Sequence, residues 1–131
     1  MIELTTRDQR YAKAIYEQVV KLEPQKDNEW VKDYGRLANY LPVLVKKAGL
    51  AQALSFAEAK GGAGDKRLLE DLQTAINEIG GRQINLMESS RKAEISEYLW
   101  LTQQVMTALH WYKRFVQSVL NVKQGDEGRD R

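Results

Sequence analysis

AEISEYLWLTQQVMTALHWYKRFVQSVLNV, residues 93–122, is the longest helical pattern in this sequence. Its apolar side chains recur every three or four residues, which places them on one side of an α-helix. The pattern predicts one long C-terminal helix from about Ala93 to Val122. The predicted apolar stripe consists of Tyr98, Leu101, Val105, Leu109, Tyr112, Val116 and Val119.

Two tryptophans of this helix lie off the stripe. At about 100° per residue, Trp100 and Trp111 point almost to the opposite side of the helix. A helix that is apolar on two sides is either central to a core or covers a partner. Two interpretations therefore stay open: both tryptophans belong to the core, or Trp100 and Trp111 are partner contacts, as exposed aromatic side chains often are.

Helical patterns separated by proline and glycine fill the N-terminal half. Thr5 or Thr6 is expected to cap a first helix, which Pro24 stops. A second helix is expected to run to Leu41. Pro42 favours the first turn of a separate third helix, Val43 to Ala48, which Gly49 would close in the left-handed conformation. A fourth predicted helix covers residues 50–60.

The middle of the chain predicts two further helices. GGAGD, residues 61–65, is a flexible break, and Asp65 is expected to cap a fifth helix that Gly80-Gly81 ends. Residues 83–93 favour a brief helix with a loop. No segment alternates with a period of two residues, so strands are not predicted. The fold class is therefore predicted to be all-α, a compact irregular bundle of about six helices with the C-terminal helix longest.

Length and composition indicate one globular domain. The chain has 131 residues, 43% apolar and 29% charged, with a net charge of +2. We predict a single helical domain over residues 1–123 and a charged, flexible tail over 124–131. No apolar run approaches the roughly 20 residues of a membrane span, and the start lacks a secretory pattern. We therefore expect a cytoplasmic protein without a membrane partner.

Little in the sequence points to catalysis. There is no cysteine, and His110 is the one histidine, so thiolate chemistry and a site with two histidine ligands are excluded. No G-x-S-x-G turn presents a serine. GGAGDKR, residues 61–67, resembles a phosphate loop only faintly, because it lacks the G-K-[S/T] ending. We expect no enzyme activity, no metal and no cofactor.

Clustered basic residues are the candidate binding groups. They lie on four of the predicted helices, and the last pair is close to Trp111. Such groups can contact phosphates without reading bases, although a solvated helix face is the alternative interpretation of each group. The predicted RNA-binding residues are Arg10, Arg36, Lys46, Lys47, Lys113 and Arg114.

Three stretches together resemble a known family. They are DQRYAKAIYEQV at 8–19, LPVLVKKAGLAQALSFAEAK at 41–60 and EYLWLTQQVMTALHWYKRF at 97–115. Their order and spacing are similar to those of the small helical subunit of the Cmr (type III-B CRISPR) RNA-guided effector complex. The Gly49-Leu50, Gln52 and Phe56 run and the Trp111 to Phe115 run are the most specific parts.

The resemblance implies a role without catalysis. It implies a subunit that braces a ribonucleoprotein filament in antiviral defence and binds the backbone of guide and target RNA. The implied partners are other Cmr subunits, further copies of this chain, guide RNA and target RNA. Because the sequence lacks a long heptad seam, we expect a monomer in isolation. The alternative function is a helical adaptor that binds only protein.

Overall fold

The computed structural model describes residues 5–124 and confirms the all-α prediction. Six α-helices and one 3₁₀ turn, Glu23–Gln25, make up the regular structure of this part, which contains no strand. The last helix has 24 residues and is the longest, as predicted. Residues 125–131 of the predicted tail lie outside the described range. The helices are α1 Arg7–Val20, α2 Glu29–Ala48, α3 Leu50–Lys60, α4 Ala63–Gly80, α5 Leu86–Lys92 and α6 Ile95–Ser118.

The start of α1 follows from reciprocal capping. The Thr6 hydroxyl accepts the Gln9 N–H at 3.0 Å, and the Gln9 side-chain oxygen accepts the Thr6 N–H at 2.8 Å. Two N–H groups at the helix start are satisfied in this way. Thr6, one of the two predicted caps, is therefore the one that begins the helix.

The predicted helix break at Pro42 is wrong. Pro42 lies inside α2, which runs without interruption from Glu29 to Ala48. A proline inside a helix costs about 3 kcal/mol because it removes one hydrogen bond and crowds the preceding turn. Leu41 and Val45 on either side are buried at 0% and 5% exposure. Burial of each such side chain contributes about 1.5–3 kcal/mol, which offsets the cost and keeps the helix continuous.

Two other predicted boundaries also shift. Helix α4 begins at Ala63, so Asp65 lies in its first turn, where its carboxylate accepts the Gly62 N–H at 3.3 Å. Helix α6 begins at Ile95 and ends at Ser118, within the predicted span of 93–122. Its end is set by tertiary contacts, because the chain then turns back through Asn121, whose φ is 61°, and packs against α2.

The core lies where α2, α4 and α6 meet, with α1 packed against α6 and α4. Helices α2 and α6 are antiparallel. Gln117 near the end of α6 donates to Asn39 in the middle of α2 at 2.9 Å. Tyr98 near the start of α6 lies beside Gly49, which follows α2. One end of the bundle therefore holds α5 and the start of α6, and the other holds the 3₁₀ turn, the start of α2 and residues 119–124.

Candidate nucleic-acid interface

Lys46 and Lys47 lie in the last turn of α2 and point into solvent. Neither forms an ion pair with another described residue. Cations are favoured near a helix C-terminus, where the backbone carbonyls leave a partial negative charge. The two ammonium groups are therefore compatible with the helix end and free to contact an external anion.

Lys113 lies on the side of α6 that faces α2. It is half-buried and precedes Gln117 by one turn, and Gln117 is bonded to Asn39. Lys46 follows Asn39 by about 10 Å along α2, and Lys113 precedes Gln117 by about 6 Å along α6. Because the helices are antiparallel, both displacements run in the same direction. Lys46 and Lys113 therefore lie toward the same end of the α2–α6 pair, measured from the Asn39–Gln117 bond.

Arg114 takes a different direction from its neighbour Lys113. It lines a shallow groove of about 280 Å³ between α1 and α6, together with Asp8, Thr107, His110 and Trp111. Successive side chains of a helix point about 100° apart, so Lys113 and Arg114 cannot both face the same flat surface. The Lys113-Arg114 pair is divided between two sides of α6.

Arg10 and Arg36 are also separated from the lysines. Arg10 is exposed on α1, about 100° around the helix from the buried Tyr11. Arg36 is only 20% exposed at its side chain, and its Nη1 lies 2.6 Å from Asp33 and 3.2 Å from Glu29. These carboxylates neutralise much of its charge. The six predicted residues therefore form no single cluster.

The two tryptophans are half-buried and have partners within the chain. The Arg82 guanidinium lies 4.0 Å from the centre of the Trp100 ring. The Trp111 indole N–H donates to Asp8 at 2.9 Å, and its ring stacks on Phe115 at 5.5 Å. Contact of Trp100 and Trp111 with a partner stays a prediction.

Three exposed apolar residues were missed by the sequence reasoning. Ile95 is 72% exposed, Leu99 59% and Tyr16 46%. Ile95 and Leu99 are four residues apart, so they lie on one side of the first turns of α6. The spacing of Ile95 and Leu99 can be read from the sequence. The sequence interpretation was based instead on the longer apolar stripe that contains Leu101, Val105 and Leu109.

Several buried polar groups in the interior are paired with each other. The Tyr34 hydroxyl donates to Asp71 at 2.7 Å, and the Arg67 Nε–H donates to the same carboxylate at 3.2 Å. The Tyr112 hydroxyl donates to Gln18. Burial raises the pKa of Tyr34 and of Tyr112 well above the usual value, so both phenols stay neutral.

This network has the character of a structural element. Its donors and acceptors satisfy each other in the core, away from the surface grooves. Within residues 5–124, no group of acidic or histidine side chains is arranged to hold a metal ion. In the same range, no helix is long and apolar enough to cross a membrane.

Comparison with known proteins identifies the family. The family model described as CRISPR-associated protein (Cas_Cmr5) matches residues 7–119. The CRISPR system Cmr subunit Cmr5 of Thermus thermophilus is 38% identical over 118 residues, which are 89% of this chain and 98% of that protein. A crystal structure of a Cmr5 family protein from the same organism has a TM-score of 0.74 and 37% identity, covering 88% of this chain and 98% of that one. The resemblance found in the sequence is confirmed, and the chain belongs to the Cmr5 family of CRISPR-associated proteins.

Proposed function

We propose that this chain is the small subunit of a type III-B CRISPR (Cmr) ribonucleoprotein that acts in the cytoplasm in antiviral defence. The similarity to a named Cmr subunit supports this, because it extends over 98% of that protein. The subunit would brace the assembly through contacts with other Cmr subunits and with further copies of itself. Alone it would be a monomer, and sedimentation that gave a tight dimer at micromolar concentration would contradict this.

The proposed RNA contact is to the backbone of the guide and target strands. The observation that supports it is that Lys46 and Lys113 lie toward the same end of the antiparallel α2–α6 pair, with exposed Lys47 next to Lys46 in the chain. Ammonium groups bind phosphates at any base sequence, which suits a scaffold that must accept every guide. Arg10 and Arg114 remain candidates on separate sides, and Arg36 is the weakest because of its two carboxylate partners.

The proposed subunit has no catalytic role. The buried titratable groups of the described part are engaged in structural pairs, as the Tyr34–Asp71 bond illustrates. Cleavage of RNA would belong to other subunits. A metal-dependent nuclease activity of the purified chain, removed by a point substitution in this chain, would overturn this part of the proposal.

Co-purification tests the assignment to a complex. A tagged chain expressed in its source organism should bring down other Cmr subunits together with short guide RNA. Mass spectrometry and sequencing of the bound RNA would identify both. Recovery of the chain without either would refute the assignment.

A charge reversal tests the RNA contact. Lys46→Glu/Lys47→Glu should weaken target-RNA binding by the assembled complex at every sequence alike. It should also reduce the salt dependence of binding, because each lost phosphate contact removes a slope of about 0.7–0.9. The matched control is Lys13→Glu/Lys66→Glu, which reverses two exposed lysines on α1 and α4. Equal effects of the two double substitutions would indicate a general charge effect and contradict the proposal.

An adaptor that binds only protein is the second candidate. The exposed pair Ile95 and Leu99 favours it, since adjacent apolar side chains in solvent mark contact surfaces. The position of Lys46 and Lys47 at a helix C-terminus also has a structural explanation without RNA. Unchanged RNA affinity and salt slope after the Lys46/Lys47 reversal, with normal incorporation into the complex, would favour the adaptor.

A further inference from the structure

Three aromatic side chains form a row on the surface where α1 packs against α6. The Tyr16 and Phe115 rings meet edge to face with their centres 5.2 Å apart, and the Phe115 ring stacks on Trp111 at 5.5 Å. Tyr16 is 46% exposed, and the other two rings are half-buried against the core. We call Tyr16, Phe115 and Trp111 the aromatic row. Large apolar rings in contact with solvent are typical of a surface that a partner covers.

The aromatic row is held in place by contacts within the chain. The Trp111 indole N–H donates to the Asp8 carboxylate at 2.9 Å. Asp8 lies in the first turn of α1, where the positive end of the helix dipole favours a carboxylate. Because the rings are positioned before a partner arrives, little side-chain freedom would be lost on binding. The surface is therefore preorganised for a contact.

A shallow groove of about 280 Å³ lies beside the aromatic row and contains the Arg114 guanidinium. Asp8 and Trp111 also line this groove. Arg114 is exposed and forms no ion pair with any residue in the range 5–124. Trp, Tyr and Arg are the residue types most enriched among the side chains that dominate binding at protein interfaces. The aromatic row and Arg114 together have this composition.

The two helix segments that carry the aromatic row have an excess of positive charge. Helix α1 contains three basic and two acidic side chains. The second half of α6, residues 107–118, contains Lys113 and Arg114 and no acidic side chain. With His110 counted as neutral, these segments carry three net positive charges. None of the five basic side chains pairs with a carboxylate of the described part, so the charge favours an acidic partner.

We propose that the aromatic row and Arg114 form a docking site for an acidic segment of another protein subunit. The inference rests on the proposed function, since it concerns a partner within the Cmr assembly, and adds the chemistry of one contact. An aliphatic side chain of the segment packs on the aromatic row. A neighbouring carboxylate accepts two parallel hydrogen bonds from the Arg114 guanidinium. The Asp8 oxygen that Trp111 does not use accepts a backbone N–H of the segment.

The same surface is less suited to RNA. Nucleic-acid bases stack on free aromatic faces, whereas the Trp111 and Phe115 rings already stack on each other. The Asp8 carboxylate lies in the groove with Arg114 and would repel a phosphate there. A protein segment supplies N–H donors for Asp8 as well as carboxylates for Arg114, so it satisfies both groups.

The acidic groove of a second copy of this chain is largely neutralised within that copy. This groove lies at the α5 end and is lined by Glu88, Glu94 and Glu97. Glu88 pairs with Lys92 at 3.1 Å, and Glu97 pairs with Arg82 at 2.9 Å. Only Glu94 of the three lacks an ion pair with a described residue. The charges therefore favour a different subunit as the partner.

Photo-cross-linking in the intact complex tests the site directly. The chain carries p-benzoylphenylalanine at position 16, and the complex is purified through a tag on this chain before irradiation. Mass spectrometry should identify a cross-linked stretch of another subunit that contains more acidic than basic residues. The same photoreactive residue at position 66, an exposed position of α4, is the matched control and should not link to that stretch.

Substitution tests the two contact groups. Tyr16→Gln/Arg114→Gln should weaken incorporation of the purified chain into a reconstituted complex by about tenfold or more, as expected for residues that dominate an interface. Both side chains are exposed, so the variant should keep its helical circular dichroism. Tyr16→Phe keeps the ring and Lys66→Gln removes one exposed charge on α4. Each should be incorporated within about twofold of the original chain.

The remaining outcomes overturn the inference. A cross-link from position 16 to RNA, to a second copy or to a stretch without an acidic excess would contradict the proposed partner. Absence of any cross-link, or normal incorporation of Tyr16→Gln/Arg114→Gln, would contradict the site. If the double variant fails to fold, the cross-linking result decides. Failure to purify the complex with the unaltered chain would instead refute the proposed function, so the two failures are distinguishable.

Discussion

The interior where α2, α4 and α6 meet differs sharply from the end that holds α5 and the start of α6. In the interior, Tyr34 and Tyr112 are fully buried and hydrogen-bonded to other helices. At the α5 end, Ile95 and Leu99 extend into solvent. A groove of about 380 Å³ there is lined by Glu88, Glu94, Glu97 and their neighbours.

Residues of the interior stabilise the fold, whereas exposed residues at the α5 end are available to a partner. The Tyr34 and Tyr112 hydroxyls of the interior are hydrogen-bonded within the chain, so changing them affects stability first. The exposed side chains of Ile95 and Leu99 at the α5 end bury little on folding, so they can be changed at small cost to the fold. Substitutions in the interior should therefore alter stability, and substitutions at the α5 end should alter assembly.

Gly64→Leu tests the interior most severely. A Cβ at position 64 would lie 2.0 Å from the Trp30 carbonyl oxygen and 2.7 Å from the Tyr34 nitrogen. Both are backbone atoms of α2, so α2 and α4 would have to separate. We expect a loss of more than about 5 kcal/mol, enough to prevent folding, measured as lost helical circular dichroism.

The control for Gly64→Leu is Gly81→Ala. Gly81 has a φ of 71° and no atom within 4 Å of its Cβ position. Only backbone strain of about 1–2 kcal/mol is expected there. Comparable losses at Gly64 and Gly81 in urea denaturation would contradict the tight contact between α2 and α4.

Alkaline pH should weaken the interior through its buried phenols. Burial raises the pKa of Tyr11 to about 12, and it raises the pKa of Tyr34 and Tyr112 well above the usual value. The unfolded phenols titrate near pH 10, so the unfolded chain loses these protons first as the pH rises. Their stabilisation is complete below about pH 10. For Tyr11 it is lost between about pH 10 and 12, and for the other two it is lost as the pH rises from about 10 through their raised pKa values.

The expected loss is about 1.4 kcal/mol per pH unit for each phenol in this window. Urea denaturation at a series of pH values, with tyrosinate absorbance in parallel, would measure it. Tyr34→Phe should make the dependence shallower. A free energy of unfolding that stayed constant from about pH 10 to about pH 12 would contradict the burial of these hydroxyls.

Tyr34→Phe and Tyr98→Phe compare one hydroxyl from each region. The Tyr34 hydroxyl donates to the buried Asp71 carboxylate at 2.7 Å, and its loss should cost about 1–3 kcal/mol. The half-buried Tyr98 hydroxyl accepts the Ala51 N–H at 3.1 Å, and its loss should cost about 1 kcal/mol or less, because water can reach the freed group. Chemical denaturation at neutral pH measures both, and a larger loss at Tyr98 would reverse the ranking.

Ile95→Gln/Leu99→Gln should have the smallest effect on stability. Both side chains are mostly exposed, so we expect a change within about 0.5 kcal/mol. Incorporation of the chain into the complex, measured by co-purification, should nevertheless fall. Normal incorporation of a stable double variant would show that the α5 end is not a contact surface.

Much of the candidate site could be located along the chain but not in space. The positions of Lys46, Lys47, Lys113 and Arg114 on helices follow from periodicity. Their directions depend on how the helices pack, which is why Lys113 and Arg114 separate. Asp33 and Glu29 precede Arg36 by three and seven residues, a spacing that allows ion pairs along one side of a helix. The sequence does not give the distances of these ion pairs.

The sequence by itself determined the helical class, the long C-terminal helix and the family, because these depend on local periodicity and on order along the chain. Tertiary structure alone decided that α2 continues through Pro42, because burial on both sides of the proline outweighs its local cost. It also decided that the chain reverses at Asn121 and packs Val122 on Gly35. That reversal brings residues 120–122 close to Lys26 and Lys32, which are far away in the sequence, and no local pattern records this proximity.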